Sequence, residues 1–171
     1  MKFKDLKTTA LNILVAFSLS ACGFHLRANT PSLTPLSPVC IDAAPNIKPL
    51  VIHALHDANA KLTQDPKSAK LHLTILRAEM QKPRAYLNSG YRSESIPLSY
   101  HLVVQVKNRL GTRLPPRHIV LTEAMTIGRN QALETDSQTQ QIQRQLEVRA
   151  MDTLLTYLQS KSVQNLVNQH A

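Results

Sequence analysis

Tyr100-His101-Leu102-Val103-Val104-Gln105-Val106-Lys107 is the stretch that decides the fold. Tyr100, Leu102, Val104 and Val106 fall at every second position, with His101, Gln105 and Lys107 among the residues between them. Side chains alternate between the two faces of a strand, so this spacing predicts a half-buried β-strand. Upstream, Leu71, Leu73 and Ile75 alternate with His72 and Thr74 in the same way. Lys82-Pro83-Arg84 interrupts that strand, and Asn88-Ser89-Gly90 is a turn signal. Downstream, Asn108-Arg109-Leu110-Gly111 turns the chain, and residues 119–125 supply a further strand. Two long hairpins are therefore expected in the middle of the chain.

Helical periodicity flanks them. Asn46 is placed to cap a helix that holds Pro49 in its first turn. Leu50, Val51, Ala54, Leu55, Ala58 and Leu62 recur at three- to four-residue spacing as its apolar face. A short strand, Val39-Cys40-Ile41, precedes it, with Cys40 read as a buried small hydrophobe. The last helix is expected to begin near Asp136-Ser137, with Ser137 and Gln140 in capping-box spacing. Ile142, Leu146, Ala150, Thr153, Leu154, Tyr157 and Leu158 make its inward stripe. Residues 161–171 read as a polar tail. Two helices around two hairpins predict an α+β two-layer sandwich spanning residues 39–160.

The N-terminus carries an export signal. Lys2, Lys4 and Lys7 precede the apolar Leu11-Asn12-Ile13-Leu14-Val15-Ala16-Phe17, a run well short of the roughly 18–20 residues that span a bilayer. Leu19-Ser20-Ala21-Cys22 then has the order of a lipoprotein signal: Leu, two small residues, Cys. The Cys22 thiol is the nucleophile that takes a diacylglyceryl group, and the freed amine is then acylated. Residues 1–21 are thus the signal peptide. The competing reading is a plain signal with a chance cysteine, cut after Ser18 or Ser20. Two or more acyl chains hold a protein stably on a membrane. Gly23, rather than Asp, follows the cysteine, which points to the outer membrane as destination. Pro31, Pro35 and Pro38 among Ser, Thr and Asn make residues 22–38 an acylated tether.

Charge narrows the partners. The formal charge is +9, of which the signal holds +2, leaving +7 for the exported part. Between Arg77 and Arg117 stand Arg77, Lys82, Arg84, Arg92, Lys107, Arg109, Arg113 and Arg117 against Glu79 and Glu94, a net +6. Such concentration implies an anionic partner. Export excludes nucleic acid, and the absence of Trp removes the best stacking residue. Arginine forks suit the phosphates of lipid A and the core sugars of lipopolysaccharide (LPS). The blander reading is solubility decoration. The four glycines build no phosphate loop, and no nucleophile elbow or HExxH pair occurs, so no enzyme is expected. His53 and His56 lack companions for a metal site and are expected to face solvent or pack. No cofactor is expected beyond the covalent lipid on Cys22.

Cys22-Gly23-Phe24-His25-Leu26-Arg27 resembles the start of the mature chain in the LPS-assembly lipoprotein LptE family. Asn130-Gln131-Ala132-Leu133 and Arg149-Ala150 also resemble family positions. The resemblance implies two helices packed on a mostly antiparallel four-stranded sheet. It also implies a lipid-anchored outer-membrane protein facing the periplasm, which binds LPS and sits as a plug inside the LptD β-barrel. Arg84 and Arg92, beside the Gly90 turn, are the nearest counterparts of the family's LPS-binding residues. Arg77, Lys82, Arg117 and Arg129 complete the candidate set. Glu134 stands where relatives often carry a basic residue, and Arg129 or Arg117 is the expected substitute. The alternative is a scaffold lipoprotein that never touches LPS.

Overall fold

The computed structural model describes residues 32–82, 94–127 and 132–169, all within the unit Pro31–Ala171. The strand read from Tyr100 onward is an interior strand of a five-stranded sheet. In chain order the elements are β1 (Val39–Asp42), α1 (Lys48–Asp57), β2 (Leu62–Thr63), β3 (Leu71–Gln81), β4 (Glu94–Asn108), β5 (Arg117–Ile127), α2 (Ala132–Leu158) and α3 (Lys161–Asn168). The sheet order is β2-β1-β3-β4-β5. β1 runs parallel to both β2 and β3, while β3, β4 and β5 form an antiparallel meander.

The α+β class stands, but two details differ from expectation: the sheet has five strands and is mixed, and three helices accompany it. β2 is two residues long, too short to leave a period, and only its pairing with Val39 and Cys40 makes it a strand. The third helix occupies the expected polar tail. Its Val163 and Leu166 are 0% and 3% exposed, and Val167 packs beside them. Burying two such side chains is worth roughly 1.5–3 kcal/mol each, enough to hold eight otherwise polar residues on the core.

β4 buries Leu98, Tyr100, Leu102, Val104 and Val106. β3 buries Leu71, Leu73 and Ile75, then shifts register between Ile75 and Arg77. Leu76 is the extra residue of this β-bulge and is 51% exposed. After it, Ala78 and Met80 pack on the core, while Arg77 and Glu79 turn outward. Strict alternation from Leu71 would have driven both charges inward, so the bulge settles the facing of the second half of the strand. β5 places Ile119 and Met125 inward and leaves Val120 53% exposed on the opposite face.

Helix boundaries also moved. α1 starts at Lys48 after Ile47, with no side-chain cap, so Asn46 does not cap it; Pro49 does lie in the first turn. The helix ends earlier than its apolar spacing suggested. Asn59 adopts φ +58, its N–H donates to His56 O, and the Ala60 N–H donates to Leu55 O, the Schellman closure with Asn in the left-handed position. Leu62 therefore lies in β2, 37% exposed, and not on the helix. α2 begins at Ala132, so Ser137 and Gln140 lie inside it rather than at its start. Ile142, Leu146, Ala150, Leu154 and Leu158 are buried as expected, joined by Met151 and Leu155, whereas Thr153 and Tyr157 are half-buried.

Residues 33–38, expected as the end of a tether, are folded onto the core. Leu33 and Leu36 are 1% and 3% exposed, and a 3₁₀ turn spans Thr34–Leu36. The Leu33 N–H donates to Ala58 O, and buried Ser37 accepts from the Lys61 N–H at 2.9 Å. Apolar leucines between the prolines outweigh the extended bias of that stretch.

Candidate functional site

The described residues of the basic run 77–117 do not form one patch. Because β3, β4 and β5 are antiparallel, the chain passes back and forth between two ends of the sheet and leaves charge at each. Gln81 pairs with Ser99 and Glu94 with Ile127, so Lys82, the start of β4 and the end of β5 share one end. Val104 pairs with Arg117, and Lys107 bridges to Arg113, at the other. On β4, Ser99 and Lys107 mark the two ends, eight residues apart, about 27 Å at strand rise.

Of the sequence-predicted residues, Cys22, Arg84, Arg92 and Arg129 lie outside the described residues. Glu134 falls in the first turn of α2. Lys82 is exposed just past β3. Arg77 sits on the outer face immediately after the bulge residue Leu76 and pairs with Glu79 through Nη2 and Oε1. Hydrogen bonds from Arg77, then Gln81, hold the Glu79 carboxyl below its ordinary range, and the Arg77 guanidinium is raised in turn. Arg117 is on the helix side of β5 instead, its guanidinium 5.9 Å from the centroid of the Tyr157 ring. Burial raises the Tyr157 phenol, partly opposed by Arg117. The structure thus places Arg77 and Arg117 at neighbouring levels, opposite Val103 and Val104 of β4 but on opposite faces, with Lys82 past the other end of β3.

The far end holds residues that the sequence counted as charge without assigning them to a site. Lys107, Arg109, Arg113 and Arg117 occur there with no acidic residue between them, and Lys70 joins them at the start of β3. Asn108 builds the turn. It is 4% exposed, and its Oδ1 accepts from the Leu110 N–H at 3.0 Å and the Thr112 N–H at 2.9 Å. Its Nδ2 donates to Leu166 O in α3 at 3.1 Å. Gly111, at φ +89, closes the turn in a conformation that side chains oppose. The hairpin is therefore bolted to the C-terminal helix, and Leu110 is left 64% exposed at its tip. On the outer face, His72 lies opposite Lys107; burial and then the Lys107 charge lower its pKa.

The remaining chemistry-bearing residues stay apart. His53 Nδ1 lies 2.9 Å from Asp57 Oδ2 on the exposed side of α1, and among the described residues no third ligand joins them. Cys40 is half-buried rather than buried, at the rim of a cleft of about 530 Å³ between β1, α1 and β2. Glu123 on β5 accepts from Arg149 of α2 at 3.0 Å, a tie between sheet and helix. Among the described residues no helix is long and apolar enough to cross a membrane.

Comparison with known proteins agrees on the fold. No family model and no curated protein sequence matches the chain. The structure is similar to that of an uncharacterised lipoprotein B of Nitrosomonas europaea, with TM-score 0.63 and 18% identity over 77% of this chain and 87% of that one. It is similar to the rare lipoprotein B of Shewanella oneidensis, with TM-score 0.62 and 16% identity over 73% and 96%. A minor lipoprotein of Acinetobacter baumannii aligns with TM-score 0.52 and 14% identity over 77% and 90%. At such identities the likeness is one of fold.

Proposed function

We propose that this protein is an outer-membrane lipoprotein, acylated at Cys22, that binds LPS and supports an LptD-like β-barrel as its plug. The observation that carries this reading is the conjunction of two independent features. The lipobox Leu19-Ser20-Ala21-Cys22, continued by Gly23-Phe24-His25-Leu26-Arg27, stands ahead of a domain with the fold of three solved lipoproteins. Charge supports it: arginine and lysine are concentrated on the meander, and a phosphate-rich glycolipid suits guanidinium forks. LPS contact is assigned to the end of the sheet that carries Lys82, with Arg84, Arg92 and Arg129 supplied by the segments that adjoin it in sequence. Arg77, held by Glu79, and Arg117, held over Tyr157, contribute less.

Two measurements test the proposal. Radiolabelled palmitate should enter the wild-type protein and not a Cys22→Ala variant; labelling of both, or neither, removes the anchor. The tagged protein, solubilised from outer membranes in mild detergent, should bring down a large β-barrel and LPS. Arg84→Glu with Arg92→Glu should abolish LPS recovery and leave the barrel bound. Unchanged LPS with the barrel retained would favour the scaffold reading, and no barrel at all would sink the plug.

A further inference from the structure

At the end of the sheet away from Lys82, a groove of about 330 Å³ is lined by Pro35, Lys70, Asn108, Arg109, Leu110 and Val167, among others. From this end and that groove we infer a second contact surface: the β4–β5 hairpin docks on the headgroups of an anionic phospholipid bilayer. This rests on the lipoprotein reading for its orientation, but the surface itself is built from described residues.

Four cations meet here. Lys70, Arg109 and Arg113 are exposed, and Lys107, half-buried, bridges to Arg113 across the hairpin. None of the four has an ion pair among the described residues, whereas Arg77 and Arg149 elsewhere on the sheet and helices do. A group of unpaired cations is attracted to a negative surface, each contributing roughly a fivefold gain in membrane partition. Charge alone would also suit an acidic protein. The apex argues otherwise: Leu110, flanked by Arg109 and Gly111, is the most exposed large hydrophobic side chain described. An apolar tip ringed by cations matches the boundary between headgroups and acyl chains. The tip is also rigid, because Asn108 fixes both the Leu110 and Thr112 amides and is tied to Leu166. Little ordering entropy is then lost on contact.

Placement supplies the third argument. Pro35 lines the same groove, so the chain enters the described fold beside the hairpin. Cys22 precedes Pro35 by thirteen residues, which span at most about 45 Å when extended. An anchor at Cys22 thus holds this end within reach of the bilayer, and the hairpin adds a second, reversible attachment.

The test uses the chain from residue 22 onward with Cys22→Ser, so that no acyl chain contributes. It is floated with phosphatidylcholine vesicles containing a quarter phosphatidylglycerol, and with pure phosphatidylcholine vesicles. Binding to the anionic vesicles alone, weakened by salt, is expected. Arg109→Gln with Arg113→Gln should lower partition roughly 25-fold, and Leu110→Ser should lower it severalfold with the charges intact. Lys48→Gln with Lys61→Gln, on α1 and before β2, should change it little. Circular dichroism melting checks that every variant folds. No binding to anionic vesicles, equal binding to neutral ones, or equal losses from both pairs would overturn the inference. Palmitate labelling of Cys22 is a separate readout, so failure of the hairpin surface and failure of the anchor are told apart.

Discussion

Asn108→Ala should be among the most destabilising single polar substitutions in the chain, and its cost can be worked from the structure. The carboxamide makes three hydrogen bonds from a site that is 4% exposed: two accepted from turn amides and one donated to α3. Each is worth about 0.5–1.5 kcal/mol net, and truncation leaves the Leu166 carbonyl and two amides to find water in a poorly hydrated site. Roughly 3 kcal/mol follows. For a domain of this size that lowers Tm by about 12 °C at roughly 4 °C per kcal/mol. Thermal melting and urea titration measure the loss. Native-state amide exchange locates it: Leu110 and Thr112 should lose protection while the amides of the Leu146–Leu158 part of α2 keep theirs. Asn46→Ala, at an exposed turn position, is the control and should move Tm by no more than 1–2 °C, about 0.5 kcal/mol. A fall of under about 2 °C for Asn108→Ala, with Leu110 and Thr112 still protected, would refute the claim that this side chain holds hairpin and helix together.

Removal of α3 by a stop after Ser160 should cost more than loss of a tail: Val163 and Leu166 leave a hole in the core, about 2–5 kcal/mol for a buried leucine alone, and melting should report a destabilised or unfolded chain. Deletion of Leu76 should be tolerated, because Ile75 and Arg77 then follow each other as a regular strand with every inward residue in place. Deletion of Val103 moves Leu98, Tyr100 and Leu102 to the wrong face and should yield insoluble protein, as expression and solubility assays would show. Burial, then the charge of Glu147, pushes the Tyr100 phenol up to about 12. Its folded pKa thus exceeds the unfolded value, so its contribution is intact below pH 10 and is lost as pH rises toward 12; a pH series of melting curves should show this fall, smaller in Tyr100→Phe.

How much of this was legible in the sequence depends on range. Period two in residues 100–107 and 71–75 marked the strands, because burial on one face acts on each residue locally. The same holds for the apolar stripe of α2 and for Pro49 in the first turn of α1. Local cues failed where a distant partner decided. Nothing near Leu62 announces a strand; its parallel pairing with Val39 does. Asn59 stops α1 because it tolerates the left-handed conformation, a signal weaker than the glycine usually sought there. Residues 161–168 look polar in isolation, and only the sheet opposite gives Val163 and Leu166 somewhere to go.

By itself the sequence determined the α+β class, the meander of β3, β4 and β5, and the concentration of cations on it, since these follow from spacing and composition. It also supplied the Leu19-Ser20-Ala21-Cys22 stretch on which the functional proposal stands. The tertiary structure decided the parallel β1 and β2, the bulge that turns Arg77 and Glu79 outward, and the third helix. It also decided that the described part of one basic stretch falls at two ends of the sheet about 27 Å apart. The physical reason is antiparallel pairing. Neighbours in sequence are carried to opposite ends of a sheet, while Pro35, Lys70 and Arg109, remote in the chain, are brought to one groove.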